Sequence, residues 1–281
     1  MMPIPVWLDT DIGDDVDDAY CLVLAALWPR IQLVGVSTVH GGALSRAYLA
    51  SKLLALCGRR DVPVFPGNMR EGESPQIDWA LDRNYSPPGK LAAEAICEAA
   101  NKYAGKLVLV TIGALTNAAE AFRRDPALAD KLARVIIMGG WVNWGGPFPP
   151  KHPEYNIACD PPAARQVFQS AKNITMVGLD VTMQARLEKP WLDKIAAAGK
   201  PWTDALVELT RRWGHRVPVL HDPLAFSMIA DNFCRLEPRR IEVLDDGHTK
   251  PVDGQPNCQV AVEVRASEFL DWYVQTVIQA Q

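Results

Sequence analysis

This sequence has no run of basic residues, no apolar segment long enough to cross a membrane and no closely spaced pair of cysteines. Its formal net charge is −4, so we expect neither nucleic acid nor a membrane as a partner. Residues 1–8 lack the basic start and the length of a signal peptide, which favours a cytoplasmic protein. The scattered cysteines exclude a CxxC zinc site and are expected to be free thiols: Cys21, Cys57, Cys97, Cys159, Cys234 and Cys258.

The chain has 281 residues, 48% hydrophobic and 22% charged, which suffices for a full core. Short apolar strands alternate with helical patterns, as is typical of a parallel sheet with helices on both faces. Without repeats or linkers, we predict one α/β domain over residues 1–281 with an open, mostly parallel sheet. The predicted strands are 6–8, 31–38, 62–65, 107–110, 135–138, 174–179, 241–244 and 260–264. The main predicted helices are 17–28, 45–57, 91–103, 191–213 with a break at Gly199, and 268–278.

Six carboxylates lie between Asp9 and Asp18, where an apolar run ends and a helical pattern begins after a glycine turn. Like charges this close repel, and several would be protonated unless a cation lies among them. A hard divalent cation prefers such oxygen ligands. The alternative is a helix cap with solvated acidic neighbours, since a helix N-terminus also favours negative charge. We interpret the stretch as a metal site.

Polar residues recur where predicted strands or loops end. In open α/β sheets, ligands bind outside the carboxyl ends of the strands. Each position is weak evidence alone, but their common placement predicts one site. The positions are Asp9 and Asp11, His40, Ile112-Gly113, Met138-Gly139-Gly140, Asp180 and His221-Asp222.

Five motifs in order make this sequence resemble the inosine-uridine-preferring nucleoside hydrolase family. They are Asp9-Thr10-Asp11-Ile12-Gly13 with Asp17-Asp18-Ala19, Ile112-Gly113-Ala114-Leu115-Thr116-Asn117, Met138-Gly139-Gly140, Glu154-Tyr155-Asn156-Ile157 with Asp160-Pro161, and His221-Asp222-Pro223. The resemblance spans nearly the entire chain. It implies that family's fold, with a Rossmann-like core, and calcium-dependent hydrolysis of the N-glycosidic bond of ribonucleosides to free base and ribose.

The resemblance also implies a ligand set for Ca²⁺. Asp11, Asp18, Asp222 and the backbone carbonyl of Ile112 would hold the ion, and Asp11 would be the general base on the attacking water. The chemistry is consistent with these residue types, because a bound cation lowers the pKa of water and a nearby carboxylate can then remove a proton.

The remaining roles implied by the resemblance concern the substrate. Asp17, Glu154 and Asn156 would hydrogen-bond the ribose hydroxyls, and Met138 is assigned to substrate binding with them. His221 would lie near the leaving base, where the matching histidine of some family branches acts as general acid. Carboxylates around the sugar suit a transition state with oxocarbenium character.

This sequence departs from the commoner family signature in its first loop. There the aspartate pair follows the residue matching Asp11 by four and five positions, whereas Asp17 and Asp18 follow by six and seven. The loop is therefore two residues longer, and Asp15 is a rival of Asp18 as metal or ribose ligand. Gly41-Gly42 replaces a frequent Gly-Asn, and an asparagine frequent near position 147 is absent.

The preferred base is not readable from the sequence. The polar, Pro- and Gly-rich stretch 68–90 is long for a connection, so it is predicted to be a functional loop or a mobile lid. Aromatic residues can stack on a base, although most of these candidates are expected to pack in the protein: Trp79, Tyr85, Trp141, Trp144, Phe148, Trp202 and Trp213.

Two other functions compete with nucleoside hydrolysis. A phosphatase of the haloacid dehalogenase type also begins with a strand and Asp-x-Asp, but it needs threonine or valine where this chain has Gly13. A non-catalytic homologue that binds calcium and a riboside is compatible with the missing asparagines. The family resemblance further implies a homodimer or homotetramer that acts in purine or pyrimidine salvage.

Overall fold

The computed structural model describes residues 2–80, 85–143, 150–215 and 217–280, and a nine-stranded sheet runs through this part of the chain. Seven neighbouring strands pair in parallel, and two further strands add an antiparallel edge. In spatial order the strands are β3 (Val64–Pro66), β2 (Ile31–Thr38), β1 (Ile4–Thr10), β4 (Leu107–Thr111), β5 (Leu132–Met138), β6 (Ile174–Val177), β9 (Cys258–Val264), β7 (Cys234–Val243) and β8 (Thr249–Val252).

Helices connect these strands and cover both faces of the sheet. They are α1 (Asp17–Leu27), α2 (Ala43–Leu56), α3 (Ala92–Lys102), α4 (Thr116–Arg124), α5 (Leu128–Lys131), α6 (Tyr155–Cys159), α7 (Pro161–Ser170), α8 (Leu179–Thr182), α9 (Lys189–Ala197), α10 (Pro201–Trp213), α11 (His221–Ser227), α12 (Ala266–Gln279) and a 3₁₀ helix at Ile77–Ala80.

The core is divided by the sheet into two apolar clusters. Along β1, Val6 and Leu8 belong to the cluster that contains α1, α2 and α10 to α12, whereas Trp7 belongs to the cluster of α3, α4 and α7. This alternation follows from the two-residue period of a strand. Because both faces of the central strands are covered by helices, those strands are apolar throughout.

The chain order of the strands reverses at β1. The connection through α1 leads to β2 on one side, and β4 later pairs with the other side of β1. A crevice forms outside the carboxyl ends at such a switch point, where ligands of open α/β sheets bind. The acidic loop after β1 therefore lies at the position that the topology favours for a site.

The predicted fold class is confirmed: this is a single-domain α/β fold with an open, mostly parallel sheet flanked by helices. The break at Gly199 is also confirmed, since Gly199 separates α9 from α10 with φ of +59°. All six cysteines are free, and four of them are buried. No helix in the described ranges combines the length and apolarity that crossing a membrane requires.

Most of the strand predictions differ from the structure in where the strand begins or ends. The strand expected at 62–65 is Val64–Pro66, because pairing with β2 begins at Val64. The strand expected at 174–179 ends at Val177, where the chain turns into α8. The predicted 241–244 strand is the end of the longer β7, and β8 was not predicted. In β7 the exposed charged residues hide the alternation that marks a strand. The four residues of β8 are too few to show it and include Pro251.

Candidate active site

One cavity of about 380 Å³ opens at the carboxyl ends of β1, β4 and β5, beside the first residues of α1, α6 and α11. Residues distant in sequence meet here because parallel strands deliver their carboxyl ends to the same edge of the sheet. All ten residues that the sequence assigned to metal binding, catalysis or substrate binding line this cavity: Asp11, Asp15, Asp17, Asp18, Ile112, Met138, Glu154, Asn156, His221 and Asp222. Among the other polar positions expected at this edge of the sheet, His40 and Asp180 do not line it.

The loop between β1 and α1 carries most of the acidic residues. Gly13 in this loop has φ of +121°, a backbone conformation open mainly to glycine. Asp17 and Asp18 follow in the first turn of α1, where the helix dipole favours negative charge. Both side chains are nevertheless buried, so the dipole alone cannot replace the water that they have lost.

Asp17, Asp18 and Asp222 form a compact carboxylate triad. One oxygen of each lies within 4.8 Å of the others, and each residue is only 3% exposed. The backbone N–H of Asp222, at the start of α11, donates to Asp17 Oδ2 over 3.1 Å, and the Thr10 hydroxyl donates to Asp18. The first bond joins the start of α11 to the start of α1, and the second joins the end of β1 to the same turn of α1.

Asp11 lies at the end of β1 and borders the same cavity. Its neighbour across the sheet edge is Gly113, where an added Cβ would come within 2.8 Å of both Asp11 N and Asp11 Oδ1. Only glycine permits this close approach of the β4 end, which brings Ile112 to the cavity.

Burial raises the pKa of Asp11 to about 7, with a positive contribution from Asp14 and a lowering one from Arg46. Burial and mutual repulsion also raise the pKa values of Asp17, Asp18 and Asp222 well above the ordinary carboxyl range. Such a cluster is unfavourable when ionised, and a cation among the carboxylates removes the penalty. The all-oxygen donor set therefore fits a metal ion.

Glu154 is the N-cap of α6 and contacts three backbone N–H groups. Its Oε2 accepts from Gly140 N at 2.9 Å and from Ile157 N at 3.1 Å, and its Oε1 accepts from Asn156 N at 2.8 Å. Burial raises the pKa of Glu154, whereas these three hydrogen bonds favour the ionised form. The carboxylate is thus held in one orientation on the cavity wall.

The amide of Asn156 connects three parts of the wall. Its Nδ2 donates to the carbonyl oxygen of Ile112 over 3.1 Å and to that of Met138 over 3.2 Å. A carbonyl oxygen has two lone pairs, so Ile112 keeps one for a further partner. Asn156 therefore sets the orientation of the carbonyl that the sequence assigned to the metal.

His221 is the first residue of α11, and its Nδ1 lies 2.8 Å from the Thr182 hydroxyl. Burial lowers the pKa of His221 to about 4, so the ring is neutral at pH 7. When Thr182 donates to Nδ1, the ring proton is on Nε2, and that nitrogen is then a donor. The structure thus permits a neutral histidine that donates a hydrogen bond.

Two predicted acidic residues have different surroundings from the triad. Asp9 is buried outside the cavity lining, where its Oδ1 accepts from Ser37 and from Asn117 Nδ2 at 2.8 Å. It joins β1 to β2 and α4. Asp15 is exposed at the cavity rim and accepts from Val16 N at 3.0 Å, outside the compact triad to which Asp18 belongs.

Sequence reasoning missed two residues that line the cavity beside α6. Tyr155 was quoted only as part of a motif, and His152 was not singled out, but both form the cavity wall. Tyr155 is 56% exposed, which leaves its ring available to a ligand. A position next to Glu154 was the only signal for Tyr155, and no spacing rule indicated His152.

The aromatic residues proposed to stack on a base are mostly packing residues in the described part of the chain. The Trp202 indole donates to Val277 O at 3.0 Å, the Tyr85 hydroxyl donates to Val64 O at 2.7 Å, and Trp79 contacts the ammonium of Lys52. None of these lines the cavity, and neither do Trp141 or Trp213. Trp144 and Phe148 lie outside the described residues.

A sequence model of the inosine-uridine preferring nucleoside hydrolases matches residues 6–271. The chain belongs to this family. Among curated relatives, a pyrimidine-specific ribonucleoside hydrolase, RihA, from Shigella boydii serotype 4 is 31% identical and covers 96% of this chain and 97% of the relative. RihA of Salmonella typhimurium is 30% identical with the same coverage.

Solved structures share the fold. A plant nucleoside hydrolase, PpNRh1, superposes with a TM-score of 0.86 at 24% identity and covers 99% of both chains. A purine-preferring ribonucleoside hydrolase from Gardnerella vaginalis superposes with a TM-score of 0.82 at 24% identity and covers 98% of both chains. The predicted family and enzyme class, a hydrolase acting on N-glycosyl bonds, are confirmed, and the phosphatase alternative is wrong.

The carboxylate triad generates a prediction about stability. We expect Asp18→Asn, measured with a chelator at pH 7, to melt about 2–4 °C above wild type, as about 1 kcal/mol of relieved repulsion would give. The wild type should lose stability as pH rises from about 4 to about 7. In that interval the unfolded chain has lost protons that the folded carboxyls, Asp11 included, retain.

Thermal unfolding with and without calcium measures the Tm of each variant, and its repetition from pH 4 to pH 7 measures the pH dependence. The matched control is Asp78→Asn, because Asp78 is an exposed residue of the 3₁₀ helix. Calcium should raise the Tm of wild type and of the control but not that of Asp18→Asn. A variant that is less stable than wild type in chelator, with its calcium response intact, would contradict the interpretation.

Proposed function

We propose that this protein hydrolyses the N-glycosidic bond of ribonucleosides in a calcium-dependent reaction that releases free base and ribose. The observation that carries the proposal is the buried triad of Asp17, Asp18 and Asp222 beside Asp11, in a cavity at the switch point of the sheet. Family membership supports the reaction class. A volume of about 380 Å³ is within the range of small-molecule sites.

Calcium is the proposed ion because the clustered donors, the carboxylates of Asp17, Asp18 and Asp222, are all oxygens. Asp11, Asp18, Asp222 and the carbonyl oxygen of Ile112 would hold it, with Asp15 as a rival ligand at the rim. When bound, the ion supplies positive charge that makes a neighbouring water more acidic and attracts the ribose diol. A site of several buried carboxylates is consistent with tight binding of a divalent cation.

Asp11 is the proposed general base. Burial raises its pKa to about 7, so the negative charge of Asp11 is unfavourable unless a cation lies beside it. Neutralisation of the cluster would leave Asp11 ionised and able to accept a proton from the attacking water. The water oxygen bonds to the anomeric carbon. The electrons of the broken N-glycosidic bond go to the leaving nucleobase.

Asp17, Glu154, Asn156 and Met138 are the proposed ribose contacts. Three N–H donors favour the ionised form of Glu154 against the burial that raises its pKa, and a negative charge there would stabilise the sugar as it becomes cationic in the transition state. The wall is preorganised, because Asn156 is tied to the carbonyl groups of Ile112 and Met138.

His221 is the proposed partner of the leaving base. With its pKa lowered to about 4, it acts at neutral pH as a hydrogen-bond donor through Nε2, which stabilises the departing anion. The family resemblance also supports our proposals of a homodimer or homotetramer, a cytoplasmic location and a role in nucleoside salvage.

Asp11→Ala should abolish turnover, with a loss of at least about 10²- to 10⁴-fold in kcat, because the attacking water loses its base. Ribose release from inosine, uridine and an activated nitrophenyl riboside measures the effect. The Asp78→Asn variant controls for a general loss of surface charge. Wild-type rates of Asp11→Ala on all three substrates would show that the base is assigned wrongly.

His221→Ala should slow hydrolysis of inosine and uridine by about 10²-fold and leave the nitrophenyl riboside nearly unaffected, because an activated leaving group departs without a donor. Thr182→Val keeps the shape of the residue but removes the hydroxyl that orients the ring. We expect a smaller loss with the same substrate order. Equal losses on all substrates would mean that His221 does not assist the leaving base.

A further inference from the structure

Consecutive carbonyl groups of the loop between β1 and α1 accept hydrogen bonds from side chains elsewhere in the chain. Arg46, in the first turn of α2, donates to the carbonyl oxygen of Asp11 and, over 3.1 Å, to that of Ile12. The same guanidinium donates to Asp14 Oδ2 at 2.6 Å and to His40 O at 3.1 Å. Arg46 is 4% exposed, and its hydrogen bonds to the carbonyl oxygens of Asp11 and Ile12 are buried, whereas its partner Asp14 lies at the surface.

The next three carbonyl groups are bound by two side chains of the segment just before the 3₁₀ helix. Ser74 Oγ donates to the carbonyl oxygen of Gly13 over 2.5 Å. Gln76 Nε2 donates to those of Asp14 at 2.8 Å and Asp15 at 3.2 Å. We call Arg46, Ser74 and Gln76 the loop clamp, because together they bind five consecutive carbonyl groups, from residue 11 to residue 15.

The clamp acts where the chain differs from the commoner family signature. Residues 11–16 join β1 to α1, and a loop lengthened by two residues has more conformations to lose on ordering. Asp11 lies at one end of this loop, and Asp17 and Asp18 lie just beyond the other. Any movement of the loop would change the distances among these carboxylates.

Gln76 provides a second observation. It is 1% exposed, and its Oε1 has no hydrogen-bond partner among the described residues. A buried unpaired amide oxygen is unfavourable for folding and offsets part of what the two hydrogen bonds from Nε2 contribute to stability, so stability alone does not account for the amide. The two bonds from Nε2 to the loop are what the amide contributes at this position.

We propose that Arg46, Ser74 and Gln76 are positioning residues for the hydrolytic site, which hold the extended β1–α1 loop so that Asp11, Asp17 and Asp18 converge on one cation. This proposal rests on the proposed function. It also gives a role to part of the 68–90 stretch, which the sequence left open as a functional loop or a lid. Residues 74–77 support the loop beneath the acidic site.

The neutral members of the clamp give the sharper test. Arg46 carries a charge near Asp11 as well as its hydrogen bonds, so its replacement would change two quantities at once. Gln76→Leu removes both donors and the unpaired oxygen without a change in charge. Ser74→Ala removes one donor and serves as the milder second variant. Asp78→Asn, exposed on the same 3₁₀ helix, is the matched control.

Five quantities are measured on each full-length variant. They are the Kd for calcium by isothermal titration calorimetry on chelator-treated protein, kcat and KM for a nucleoside, amide hydrogen exchange in residues 11–18, and the Tm. We expect Gln76→Leu to weaken calcium binding and lower kcat by about 10- to 100-fold each, with faster exchange and a nearly unchanged Tm. Ser74→Ala should show smaller changes in the same direction, and the control none.

A lower Tm with wild-type calcium affinity, kcat and exchange in Gln76→Leu would overturn the proposal, since the amide would then serve folding alone. If Gln76→Leu does not fold, the same criteria applied to Ser74→Ala decide. If wild-type protein releases no ribose from any nucleoside, the proposed function fails, but calcium affinity and exchange in residues 11–18 still decide whether the clamp positions the carboxylates.

Discussion

Repulsion among buried carboxylates is the constraint on which the rest of this structure depends. Asp11, Asp17, Asp18 and Asp222 share one cavity away from water, and burial with mutual proximity raises the pKa values of all four. Such a group is costly without a cation, and the protein retains it at the position where an open α/β sheet binds ligands. The site is therefore one in which stability has been given up for function.

The scaffold holds these charges from several directions. The end of β1 lies between β2 and β4, the helix dipole of α1 faces Asp17 and Asp18, and an N–H at the start of α11 binds Asp17. Glu154 and Asn156 form a hydrogen-bonded wall opposite the acidic loop. The geometry that makes the ionised cluster unfavourable without a counter-charge is consistent with the proposed binding of a cation and a ribose.

Much of this could be predicted from the sequence, because the central strands are continuous apolar runs and the site residues follow them directly. Edge strands such as β8 could not, since its four residues are too few to show alternation and include a proline. The sequence did not decide between Asp15 and Asp18 as metal or ribose ligand. The conformation of a loop of altered length depends on the partners that its carbonyl groups find in the folded chain. The contributions of Tyr155, His152 and Gln76 depend on tertiary packing, which local patterns do not record.

The central claim is that hydrolysis depends on calcium held by the acidic cluster. The most direct measurement is reducing-sugar release from a panel of purine and pyrimidine nucleosides, before chelation, after chelation and after calcium is restored. We predict that ribose is released, that chelation abolishes the release and that calcium restores it. No release from any nucleoside, with calcium still bound at one ion per chain, would contradict the claim and favour a homologue that binds ribosides without cleaving them.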